Sequence, residues 1–292
     1  MMTLHELVDG ARAFLKDCMQ VSRRQILTVE NRISDKLLKC LERMMFSING
    51  TTDSTILLIE EECVWDSSIL LRSVLDGTAR VCYLLSAKNS GDEESRLHEF
   101  VDLLPKTEMG GLEQPLSGMI KSHYYTGTES SPDPILDPIK SVVDELKPAD
   151  GEGRMLRDVK ARWNFFRISG TIRDEFPLWM DFAPLFEYRY ALCNQLVHKT
   201  DTGCGQVLER HLREPAYRDL SNMAHAETVL TSLCFATYVR LFALSKRQCA
   251  NPESFEAVLV KHRGYFEQAQ EIEDAFVVEC KKRTAWRIHE RA

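Results

Sequence analysis

An all-α fold, a multi-helix bundle with one long internal loop, is what this chain predicts, and three observations carry the prediction. Apolar residues recur at helical spacing over most of its length. No segment shows convincing alternation of apolar and polar residues between turn signals, as a half-buried strand would. No internal repeat or low-complexity tract points to a solenoid or an array. With 292 residues, 44% of them hydrophobic and 28% charged, the chain can bury a large core. A single domain over residues 1–292 is expected, with a possible subdivision near residue 150.

The first helix is expected from Thr3 to Met19, where Leu4, Leu7, Val8, Ala11, Phe14 and Leu15 share a face. A second pattern, Ile26 to Met45, stops at Asn49-Gly50, and the two read either as separate helices or as one bent rod. Thr51-Thr52-Asp53-Ser54 has the composition of a helix start, so the next helix is expected from Thr55 to Ala87. It is apolar on most faces, the mark of a helix central to a bundle. Asp92-Glu93-Glu94 opens a helix through Leu104. Periodicity is then lost up to Pro134, among Gly110, Gly111, Pro115, Gly118 and Gly127, and residues 105–133 are expected to be a mobile loop with at most one short helix.

Residues 134–147 predict a short helix, the run from Lys147 to Gly153 breaks it, and Met155 to Ile168 resumes. Pro177 and Pro184 bracket short segments ahead of a helix ending at His198. The longest late helix is expected from Tyr217 to Lys246, just after Pro215, and the last from about Pro252 to near Trp286. The total is eight or so helices.

A net charge of -7 and a pI near 5.7 argue against a surface coated with positive charge for nonspecific binding to nucleic acid or membrane. The one basic cluster, residues 280–292, reads as a solvated helix end, where cations gather. Nine cysteines, without the close spacing of zinc sites or redox motifs, read mostly as small buried hydrophobes in a reducing compartment. Acidic residues stand where a signal peptide needs basic ones, and no stretch approaches the roughly 18 apolar residues of a bilayer span. The expectation is a cytoplasmic protein that meets no membrane and needs neither metal nor cofactor.

Phosphate-binding glycine loops, a Gly-x-Ser-x-Gly elbow and a His-Glu-x-x-His pair are missing from the sequence. Two polar stripes on otherwise apolar helices remain. Asn194 and His198, four apart, share one face at the end of a helix, where the dipole favours a cation. Ser68, Arg72, Asp76 and Arg80, also four apart, line one face of the most hydrophobic helix. Such charges must pair or face a cavity, because a buried unpaired ion is costly. Either Arg72 and Asp76 form an internal ion pair, or Arg72 meets the Asn194/His198 face across a cleft.

These residues carry a resemblance. Arg72-Ser-Val-Leu-Asp-Gly-Thr-Ala-Arg-Val-Cys-Tyr-Leu-Leu85 and Tyr190-Ala-Leu-Cys-Asn-Gln-Leu-Val-His-Lys-Thr200 resemble two motifs of a poorly characterised family of bacterial all-helical proteins, over about Ile59 to Thr202. That family is distantly similar to HEPN domains, many of which are metal-independent ribonucleases of toxin-antitoxin and phage-defence systems. The resemblance implies a HEPN-like bundle, RNA as a partner, and a composite site across a homodimer axis, with His198 as the site histidine. The arginine that should precede His198 by four to six intervening residues is absent, since positions 191–193 are Ala, Leu and Cys. Arg189 lies on the opposite side of that helix and would reach His198 only from a second subunit. Literal arginine-then-histidine matches occur at Arg218 with His225 and at Arg283 with His289, no more than chance supplies, and the first pair returns to one helical face.

Metal-free RNA cleavage needs a base for the 2′-hydroxyl proton and a cation for the phosphorane, roles that suit a histidine and an arginine. The expected site is therefore His198 with Asn194, Arg72, Asp76 and Arg189, with Arg218 and His225 as secondary candidates. The alternative is a non-catalytic helical module that senses or scaffolds a protein or small-molecule partner.

Overall fold

The computed structural model describes residues 2–28, 33–109, 113–121, 127, 133–134, 136–146, 151–198, 204–205, 207–209, 212–247 and 253–290. Helix is the only regular structure among them. In chain order these are α1 (Leu4–Thr28), α2 (Asp35–Glu60), α3 (Asp66–Leu85), α4 (Ser90–His98), a π-helical turn (Glu99–Leu103), α5 (Leu104–Met109), α6 (Glu113–Lys121) and α7 (Leu136–Glu145). Then follow α8 (Gly153–Arg162), α9 (Phe165–Glu175), α10 (Pro177–Val197), α11 (Pro215–Arg247), α12 (Glu253–Lys261) and α13 (Arg263–Glu290). The chain forms two compact units, one of Met1–Ser86 with Ile172–Ala292, the other of Ala87–Thr171. The break expected near residue 150 lies inside the second.

The first unit is organised on α11, which packs against α1, α3 and α13, while α3 packs against α2 and α10. By length and composition α11 meets the requirement for crossing a bilayer, contrary to the sequence expectation, with a mean hydropathy of 1.4 over its most apolar window. Yet 72% of that window is buried in the fold, as in the core helix of a globular protein. Two glycines permit close helix crossings. A Cβ on Gly10 would collide with the Tyr265 ring, and one on Gly77 would lie 2.8 Å from Ile48.

Several boundaries differ from the sequence reading, each for a local reason. The helix expected from Thr55 to Ala87 is divided: α2 continues through Asn49-Gly50 to Glu60, and α3 begins at Asp66. Thr51, Thr52, Ser54 and Thr55 do not cap a new helix, because their hydroxyls donate back to the carbonyls of Ser47, Ile48, Gly50 and Thr51 at 2.7–3.0 Å. The break falls instead at Glu62, whose φ of 61° is left-handed. Pro184 interrupts nothing, since α10 runs through it, and Met180, whose carbonyl loses a helical partner there, is exposed. The helix expected from Met155 to Ile168 is two, α8 and α9, and the last predicted helix is divided at His262.

In the second unit, Asn89 rather than Asp92 caps α4, accepting from the Asp92 N–H at 3.0 Å. Glu99 joins its elements, accepting from Arg162 at 2.6 Å and from Trp163 Nε1 at 2.9 Å. The segment expected as loop holds α5 and α6, and Leu116 of α6 packs with Leu136 and Val143. The rest of residues 105–133, apart from Gly127 and Asp133, lies outside the described residues.

Candidate functional site

The first turn of α3 begins the site. Trp65 precedes it, Ser67 and Ser68 lie within it, and Ser68 Oγ stands 2.7 Å from His225 Nε2 on α11. The imidazole lies flat against the Trp65 indole, ring centroids 3.4 Å apart and planes 14° from parallel. Trp65 Nε1 donates to Asn222 Oδ1 at 3.4 Å, so α11 holds both the histidine and the ring that supports it. Cys193 of α10 borders the same cavity, and burial pushes its thiol up to about 11. That thiol stays protonated at neutral pH.

These groups border a cavity of about 460 Å³ within the first unit, enclosed by α3, α10, α11 and α13. Its apolar wall includes Leu71, Leu192, Leu196, Val229 and Phe276, and its polar wall includes Arg189, Arg213, Glu209 and Glu273. Arg189 sits 3.9 Å from Glu273 and against the Tyr188 ring, and its Nε is buried without a hydrogen-bond partner among the described residues. Arg213 donates through Nη1 to Ser221 Oγ at 2.6 Å and through Nε and Nη2 to the two carboxylate oxygens of Glu209. Beside this wall, Glu227 is 4% exposed, and burial, reinforced by the nearby Glu273 carboxylate, pushes its carboxyl up to about 7. Among the described residues no group of three His, Cys, Asp or Glu is placed to hold a metal ion.

The residues singled out in the sequence are distributed as follows. His198 caps the C-terminus of α10, exposed, with its backbone N–H on the Asn194 carbonyl at 3.1 Å, and neither residue borders the cavity. Arg72 lies over the Tyr190 ring and donates to its hydroxyl at 3.3 Å. Asp76 pairs with Arg80 at 2.9 Å in place of the Arg72–Asp76 pair expected of this stripe, and burial raises the Asp76 carboxyl. Arg189 points into the cavity wall. Of the secondary pair, His225 is at the centre of the site, whereas Arg218 does not border the cavity and Arg213, five residues earlier, does. Tyr188, Leu192 and Leu196, the apolar stripe of α10, line the cavity and Tyr188 is largely exposed. Trp65, Cys193, Arg213 and Glu227 were not singled out as site residues. The sequence signal lay on α11, where Ser221, His225 and Thr228 repeat at 4 and 3 residues as a polar stripe on a largely apolar helix, whereas Trp65, Cys193 and Arg213 carried none.

Comparison with known proteins gives no match to any family model, any curated protein or any solved structure.

Proposed function

We propose that the protein is a helical small-molecule-binding module acting through the cavity of its first unit. One observation carries the reading: a volume of about 460 Å³, in the size range of ligand sites, joins an apolar wall to a few convergent polar groups. The ligand is a compact molecule whose hydrogen-bonding end meets Ser68, His225 and Arg189 and whose apolar body meets Leu71, Leu192 and Val229. The protein acts in the cytoplasm, and α11 serves as a core helix. A thermal-shift screen against polar metabolites with apolar tails tests this. A ligand that raises the melting temperature of the wild type and not of Leu192→Trp, which fills the cavity, supports the reading; a screen in which the two respond alike removes it.

A second reading is a metal-independent ribonuclease, or a degenerate relative, of a bacterial phage-defence or toxin system. It is favoured by the placement of His225, Arg189 and Arg213 around one cavity, a base with two cations. RNA cleavage in the presence of EDTA, abolished in His225→Ala and retained in His198→Ala, would move the site from the expected histidine to this one. Loss of cleavage in His198→Ala alone would return it to the end of α10.

A further inference from the structure

We infer that Ser68 and His225 are a nucleophile and general base that transfer a short acyl group from an ester or thioester to water. The inference deepens the ligand-site reading above and rests on it. A separation of 2.7 Å between Oγ and Nε2 is the reach that such a pair requires. Both side chains border the cavity, so Ser68, although only 2% exposed, faces space that a substrate can occupy. The Trp65 stack fixes the plane of the imidazole, which holds Nε2 against the Ser68 hydroxyl. Arg189 stands in the same cavity wall, where its guanidinium is a cation that can stabilise a developing oxyanion.

The chemistry is as follows. Ser68 Oγ attacks the carbonyl carbon, a C–O bond forms, and the hydroxyl proton passes to His225 Nε2. The bond to the leaving oxygen or sulfur breaks, and that atom departs with the electron pair and the proton from Nε2. Water then attacks the acyl carbon, giving a proton to Nε2, and the bond to Oγ breaks as Oγ takes that proton back. Ester and water become acid and alcohol, and Ser68 and His225 are regenerated. Leu71, Leu192 and Val229 suit a short alkyl chain on the acyl side.

The test uses the full chain with two probes, a fluorophosphonate, which phosphonylates a reactive serine with loss of fluoride, and p-nitrophenyl butyrate. Peptide mapping of the wild type is expected to place a single adduct on Ser68. Hydrolysis of the butyrate should fall to background in Ser68→Ala and roughly 100-fold in His225→Gln. No adduct, an adduct elsewhere, or equal hydrolysis by Ser68→Ala overturns the inference, and because the map is made on the wild type it decides even where a variant misfolds. If a ligand still stabilises the wild type and not Leu192→Trp while Ser68 stays unlabelled, the binding reading survives and the acyl-transfer step is wrong. Failure of both removes both.

Discussion

The two halves of α11 each bury a charged residue and treat it differently. Toward the C-terminus Arg240 is completely buried, and its guanidinium donates to Thr78 at 2.8 Å, to Thr237 at 3.1 Å and to Asn49 at 3.5 Å. Those acceptors are all neutral, and burial pulls the guanidinium down to about 10. Toward the N-terminus Glu227 is nearly as buried but stands beside the cavity, near Glu273 and Arg189, with its carboxyl raised toward neutrality. Where helices close completely, a charge is met mainly by dipoles of the fold, with only Arg240 Nε lacking a partner among the described residues, and its role is architectural. Where they enclose a volume, polar groups keep capacity for something from outside.

Four variants break or sharpen this contrast, and the largest effect belongs to the closed half. Arg240→Ala should lower unfolding free energy by about 3–5 kcal/mol in urea titration, through a cavity and three orphaned acceptors. A loss under about 1 kcal/mol would mean that this half is not closed as described. Glu227→Gln comes next and depends on pH. The folded carboxyl holds its proton up to about 7 while the unfolded chain releases it near its ordinary value of 4.5, so the stabilising contribution is full below pH 4.5 and lost as pH passes 7. Wild-type stability should fall by on the order of 3 kcal/mol across that window relative to Glu227→Gln, and parallel pH curves for the two proteins would refute the assignment. Thr78→Val, which keeps shape and removes the acceptor for Arg240, should cost about 2 kcal/mol at any pH from 5 to 8. His225→Ala should be the mildest, no more than about 1 kcal/mol in the same titration, although ligand response and serine labelling disappear. Collapse of that variant would make the Trp65 stack a structural support instead of a functional one.

Much of the bundle was legible because helical periodicity is a local property, visible in α1, α7 and α11 from the spacing of their apolar residues. Boundaries were less so. Thr51 to Ser54 carry side chains equally suited to capping a helix or bonding back along one, and only the packing of Ile48, Thr52, Ile56 and Ile59 into the core decides for the second. Pro184 marks a break only where a carbonyl cannot turn to solvent. The site was legible in fragments: Ser68 within a polar stripe and His225 within a motif match. Their meeting was not, because 157 residues separate them and the pairing depends on how α3 and α11 cross. His198 drew attention for a sound local reason, its place at a helix end, which says nothing of what lies opposite.

The first unit is built from two stretches of chain separated by the whole of the second, and this has a consequence for synthesis. When α1, α2 and α3 leave the ribosome, the helix that covers them, α11, lies more than a hundred residues downstream and has yet to be translated. The intervening segment, Ala87–Thr171, is complete in sequence well before then and is the first unit able to finish folding. The earlier helices must therefore wait with apolar faces uncovered, and α11 must find them soon after it emerges, because alone it has the composition of a membrane segment. Nascent chains arrested just before Pro215 should be protease-sensitive in α1 to α3 and protected in Ala87–Thr171, with the sensitivity vanishing once α13 has been released.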